Sequence, residues 1–184
     1  MATTSARSTA RAPMTPDLAA PVDADDHRRG VTGSRQLVVY GDFECPHTAA
    51  AMRDIGRLLE GRPALEVVYR HYPLRAIHPH AQAAAEAAEA AARQDRFWEM
   101  HDLLFRNQLL LEPADLWRYA ERLDLDLERF EADISDPAIK ARVERDLESG
   151  EQSGVDGTPS LFIDGLRYRG RRDTDNLGNA LGDG

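Results

Sequence analysis

Apolar positions along the chain follow two different periods. Leu37-Val38-Val39-Tyr40 is a short apolar run with β-branched residues and reads as a buried strand. It leads into Gly41-Asp42-Phe43-Glu44-Cys45-Pro46. Proline suits the first position of a helix, where its missing N–H would be unpaired anyway, so a helix is expected from about Pro46. Met52, Ile55 and Leu59 recur at helical spacing, and Gly61 provides a stop. Leu65-Glu66-Val67-Val68-Tyr69-Arg70 reads as the next strand. Strand, helix, strand in this order implies a right-handed parallel crossover.

From about His78 to Gly150 the period is helical throughout. Ala81 to Ala92 is rich in alanine, the best helix former. Further stripes follow: Phe97, Met100 and Leu104; Leu116, Tyr119 and Leu123; Leu127, Phe130 and Ile134; Ile139, Val143 and Leu147. Pro113 and Pro137 mark new helix starts, the second with Asp136 as its N-cap. Trp98, Trp117, Phe97 and Phe105 lie on such stripes and are assigned to the core, whereas the charged run Arg142 to Glu148 reads as a solvated face. The period then returns to that of a strand. Ser160-Leu161-Phe162-Ile163, a tight turn at Asp164-Gly165, and Leu166-Arg167-Tyr168-Arg169 form a hairpin. A short amphipathic helix with Leu177 and Leu181 closes an α/β chain: β-α-β, a helical block, a hairpin and a last helix.

Residues 1–30 are Ala, Thr, Ser, Pro, Arg and Asp with no apolar h-region. They are expected to be a disordered tail rather than a secretory signal, which leaves residues 31–184 as the domain. No apolar run approaches the roughly 20 residues needed to cross a bilayer. The formal net charge of -9 argues against a nucleic-acid partner. Cys45 is the single cysteine, so no internal disulfide can form, and the expected compartment is the reducing cytoplasm.

Cys45 stands after a strand and at the start of a helix, where unpaired N–H groups and the helix dipole favour the thiolate. The competing reading is a small buried hydrophobe. His47, in the first helical turn, either stabilises that thiolate or is a solvated surface histidine. Thr48 lies one turn after Cys45, close enough on the same face for its hydroxyl to donate to the sulfur. Thr158-Pro159 precedes the third strand and reads as a rigid turn. His71, His78 and His80 with Cys45 imitate a zinc set, but their spacing fits no standard pattern, and no metal or other bound cofactor is expected.

Asp42-Phe43-Glu44-Cys45-Pro46-His47-Thr48 resembles the active-site turn of the DsbA family of thiol–disulfide oxidoreductases. Tyr69-Arg70-His71-Tyr72-Pro73-Leu74, His78-Pro79 with the Ala-rich helix, Phe97-Trp98-Glu99-Met100-His101 and Gly154-Val155-Asp156-Gly157-Thr158-Pro159-Ser160 resemble further segments of that family in the right order. The resemblance implies a thioredoxin-like fold, with an α-helical insertion over about residues 78–150 between the β-α-β half and the C-terminal hairpin. It implies a catalytic site at Cys45, Pro46, His47 and Thr48. It also implies a cis Pro159 facing Cys45, and a Thr158 backbone offered to an extended substrate. A similar domain is also found fused to sodium/proton antiporters, which makes a partnership with membrane transport conceivable.

The family's redox members carry Cys-x-x-Cys, whereas Thr48 holds the second place here. A dithiol cycle is therefore closed to the chain. Two functional readings follow. The first is a monothiol oxidoreductase acting on protein, peptide or small-thiol mixed disulfides, with an external thiol such as glutathione as co-substrate. The second is a binding or regulatory module that keeps the groove without the redox chemistry.

Overall fold

A computed structural model describes residues 17–62 and 64–182. The element order is β1 (His27–Gly30), β2 (Arg35–Gly41), α1 (Pro46–Gly61), β3 (Leu65–His71), α2 (Ala81–Ala92), α3 (Phe97–Arg106), α4 (Pro113–Arg122), α5 (Leu127–Ile134), α6 (Pro137–Gln152), β4 (Ser160–Ile163), β5 (Leu166–Tyr168) and α7 (Thr174–Leu181). The strands form one sheet in the order β1-β3-β2-β4-β5. β2 and β3 are parallel, in register from Arg35 opposite Leu65 to Gly41 opposite His71. The crossover through α1 supplies the long connection that parallel neighbours need. The other pairs are antiparallel. This is a thioredoxin-like fold, with α2–α6 inserted between β3 and the β4–β5 hairpin.

The alternation of side chains along a strand sorts the core into two layers. Leu37 and Val39 of β2 join Val67 and Tyr69 of β3 on one face, packed against Ile55 and Leu58 of α1, the alanines of α2, and Phe97, Met100 and Leu104 of α3. Val38, Tyr40 and Val68 face the opposite way, with Phe162, Tyr72, Val155 and Leu18. Phe97 is buried, and Trp98, Phe105 and Trp117 are partly buried against the first layer. The proline-led helices stand where the sequence places them, and the Asp136 side chain caps α6 by accepting from the Ala138 N–H. No described helix is long and apolar enough to cross a membrane.

The expected boundary at residue 31 falls too late. Residues 1–16 of the expected tail lie outside the described residues, but from residue 17 the chain is built into the fold. Leu18 N–H donates to Gly165 O at 3.0 Å, and β1 pairs with β3 from His27 opposite Tyr69 to Gly30 opposite Glu66. Leu18 packs into the second core layer, and a polar demand adds to it. Arg70 is buried in β3, and its guanidinium needs acceptors. Asp26 supplies both carboxylate oxygens at 2.8 Å, and the carbonyls of Ala20 and Pro21 accept at 2.9 and 3.1 Å. Arg142 to Glu148 is likewise not simply a solvated face. Asp146 is 1% exposed, accepts the His71 backbone N–H at 3.0 Å and pairs with Arg142.

Candidate active site

The turn from β2 into α1 is held from below by Asp42, which is 1% exposed. One carboxylate oxygen accepts from the Glu44 N–H at 2.8 Å. The other accepts from the Leu74 N–H at 2.8 Å and meets His78 Nδ1 at 2.8 Å. Asp42 O also accepts from the Cys45 N–H at 3.2 Å, closing the turn. Gly41 is required just before it, because a Cβ there would come within 2.6 Å of the Tyr69 ring and 2.9 Å of the Thr48 methyl. Glu44 reaches the far side of the groove and accepts from the His80 N–H at 2.8 Å. Gln108, in the connection from α3 to α4, donates to the Phe43 and Cys45 carbonyls at 2.7 and 3.0 Å. Phe43 anchors the turn in the core against Tyr69, His71, His101 and Phe105.

Cys45 is the N-cap residue of α1, and no side chain caps that helix. Pro46 has no N–H, so the amides of His47 and Thr48 are the orphan donors of the first turn. The thiol is 4% exposed and donates to Thr158 O at 3.4 Å. The Thr158–Pro159 peptide bond is cis, and Pro159 is buried. The loop carrying it is braced by Tyr72 Oη donating to Val155 O at 2.8 Å, Ser160 Oγ donating to Gly157 O at 2.8 Å, and Arg167 paired with Asp156 at 2.7 Å. Thr158 Oγ1 is buried without a partner.

The structure thus brings Cys45, Pro46, Thr158 and Pro159 together. It gives the other two candidates different surroundings from those expected. Thr48 is fully buried, and its hydroxyl accepts from the Asp42 N–H at 3.5 Å. Helix geometry turns it into the floor of the turn, so it shares no hydrogen bond with the sulfur among the described residues. His47 is exposed, and no described hydrogen bond joins it to the sulfur either. The zinc-like set disperses: His78 meets Asp42, His71 meets Glu89 at 2.8 Å, and Cys45 meets Thr158. Asp42, Glu44 and Gln108 were missed as site-building residues. Asp42 and Glu44 stand inside the quoted turn, whereas Gln108 follows Asn107 in a short leucine-rich connection with no signal of its own.

Beneath the turn lie ionisable groups shaped by burial. His101 is pushed down to about 4 by burial, against the hydrogen bond that it shares with Asp102 at 2.8 Å. Burial works to raise Asp102, but its hydrogen bonds with His101 and Arg29 prevail and hold it at about 2. Burial raises Tyr69 well above the ordinary phenol range, with Asp42 as the next contributor.

A mixed five-stranded sheet, a helical insertion, a cysteine at the start of α1 and a proline loop facing it define a thioredoxin-fold protein. The family model of the DSBA-like thioredoxin domain matches residues 36–182, and the chain belongs to that family, whose fold is that of thiol–disulfide oxidoreductases. Among solved structures it is similar to a thioredoxin-like oxidoreductase from Silicibacter pomeroyi, with TM-score 0.78 and 24% identity over 86% of this chain and 91% of that one. It is also similar to the thiol-disulfide exchange protein alpha-DsbA2 from Wolbachia pipientis, with TM-score 0.77 and 21% identity over 86% of this chain and 87% of that one. Among curated proteins it is 48% identical over 167 residues to Na(+)/H(+) antiporter NhaA 3 of Salinispora tropica, covering 90% of this chain and 26% of that protein. It is 45% identical over 159 residues to Na(+)/H(+) antiporter NhaA of Herminiimonas arsenicoxydans, covering 85% and 25%. The chain therefore spans about a quarter of the length of these curated relatives.

Proposed function

We propose that the chain is a monothiol thiol–disulfide oxidoreductase, with Cys45 as its nucleophile. The observation that carries this reading is the uncapped start of α1, where the Cys45 thiol stands beside orphan amides and opposite Thr158. In the first step the Cys45 thiolate attacks one sulfur of a mixed disulfide. The new bond joins Cys45 to that sulfur, and the other sulfur leaves with the electron pair as a thiolate. In the second step the thiolate of a small thiol such as glutathione attacks the small-thiol sulfur of the adduct. Cys45 is released as a thiolate and the small-thiol disulfide leaves, one half of it from the substrate and the other from the incoming thiol, so one small thiol is consumed for each mixed disulfide reduced. The groups stabilising Cys45 are the helix amides, with Pro46 setting the helix start, and Thr158 and Pro159 shape the substrate groove. His47 is exposed in the first turn of α1, where an incoming disulfide could meet it.

Protein or peptide substrates are favoured by exposed apolar side chains next in sequence to residues that brace the turn. Leu109 is 97% exposed next to Gln108, and Ile77 is 68% exposed next to His78. Apolar side chains flanking a polar site suit an extended protein segment. Reliance on an external thiol places the domain in a reducing compartment, the cytoplasm, and no bound cofactor is required. The test is turnover of a glutathionylated peptide in the presence of glutathione. The full chain should release peptide catalytically and Cys45→Ser should not. Equal turnover by the two would overturn the reading.

A second reading, a binding or regulatory module, is favoured by one observation: the relatives that share this domain are antiporters of which it forms about a quarter. It predicts that association with a transporter partner survives Cys45→Ser and that the full chain shows no turnover.

A further inference from the structure

We propose that His27, His71 and Glu89 form a binding site for one divalent cation of the zinc class, separate from Cys45. The three side chains come from three elements, β1, β3 and α2, that the fold holds in fixed register. His27 Nε2 lies 2.7 Å and His71 Nε2 lies 2.8 Å from the same oxygen, Glu89 Oε1, and the three atoms all lie within 4.8 Å of one another. Two imidazoles and one carboxylate are the donors that a borderline cation selects, whereas magnesium and calcium favour oxygen-only sets. Zinc bonds of about 2.0–2.1 Å in a tetrahedron set neighbouring donors roughly 3.3 Å apart, so each of the two histidine–glutamate pairs must open by roughly half an ångström.

Burial works to raise Glu89, but hydrogen bonds from His27 and His71 win and hold it well below the usual carboxylate range. Burial holds His27 below the ordinary imidazole range. Ligation through Nε2 requires each ring proton to move to Nδ1. His71 Nδ1 is buried without a partner, so the proton moved there would lack an acceptor, a cost that the metal bonds must offset. The His71 backbone is pinned by Asp146 at 3.0 Å. Arg142 approaches Glu89 Oε1 only at 3.9 Å and is paired with Asp146, which would keep it when a cation takes the carboxylate. The His27 side chain is 15% exposed while those of Glu89 and His71 are buried, so His27 is the ligand nearest solvent. A cation here would tie the edge strand β1 to β3 and α2, behind Phe43 of the active-site turn, whose ring lies 5.8 Å from that of His71.

The experiment loads the full chain with Zn²⁺ alone, removes excess by desalting, and measures retained metal and affinity against a chromophoric chelator. One zinc per chain is expected in the unaltered protein and in Cys45→Ser. His27→Gln keeps a side-chain donor for Glu89 but not the imidazole, and should weaken zinc at least about tenfold. Co²⁺ loading supplies a readout that needs no variant: visible ligand-field bands should arise without thiolate-to-cobalt charge transfer. No retained zinc, unchanged affinity in folded His27→Gln, or loss of zinc in Cys45→Ser would each overturn the proposal and leave the three residues as a hydrogen-bonded triad.

Discussion

Helices α1 and α6 each have 16 residues and each begin with proline, yet their N-termini are finished differently. At α6 the Asp136 carboxylate folds back onto the Ala138 N–H. At α1 the equivalent place is held by Cys45, whose sulfur turns away to Thr158, and the amides keep no side-chain cap. The first arrangement favours stability and leaves no room for an electron-rich guest. The second gives up a cap and retains an electropositive point for a sulfur that gains charge during exchange. What compensates at α1 is the turn before it, where Asp42 gathers the Glu44 and Leu74 amides and His78 while the His47 and Thr48 amides stay open.

The largest effect should come from breaking that compensation. Asp42→Ala leaves the Glu44 and Leu74 amides without their buried acceptor, and the loss should be on the order of 3–5 kcal/mol by urea unfolding. Retention of full stability would show that the turn stands without Asp42. Next is the floor under α1. His101 titrates at about 4 when folded against 6.5 unfolded, so the unfolded chain binds the proton first as pH falls. Stability should therefore be present above about pH 6.5 and drain away between there and about pH 4, by on the order of 3 kcal/mol. Asp102, held at about 2 against 3.8, adds a further loss between those two values, because the folded state prefers its carboxylate. His101→Phe should flatten the upper window. An unchanged acid profile in that variant would reassign the sensitivity.

The smallest effects compare the caps themselves. Cys45→Ser supplies a preferred cap residue and should raise stability by about 0.5–1 kcal/mol while ending exchange. Asp136→Ala should lower the unfolding midpoint slightly and leave exchange untouched. If Cys45→Ser destabilised the protein, the open end of α1 would not be a sacrifice of stability.

The apolar elements were legible because their signal is local. Leu37 to Tyr40, Leu65 to Arg70 and the Pro113 and Pro137 helix starts announce themselves within a few residues. β1 could not be read in this way: His27-Arg28-Arg29-Gly30 has no apolar residue, pairs through its backbone, and spends its side chains on Glu89, Glu66 and Asp102. Arg70, Asp26 and Asp146 resemble surface charges until the fold brings their partners together from distant positions. At the site, Cys45 and Pro46 were legible from the strand-to-helix change, and Thr158 with Pro159 through the family resemblance. Gln108 was not, because its signal is its contact with two backbone carbonyls 65 and 63 positions away.

The most direct test of the central claim is the native reactivity of Cys45 with glutathione disulfide, followed by intact-mass spectrometry. The account predicts a single glutathione adduct on folded protein, absent in Cys45→Ser and removed when reduced glutathione is added. A cysteine that stays unmodified in the native chain and reacts only after denaturation would contradict it, leaving Cys45 as a buried apolar residue at the start of a helix.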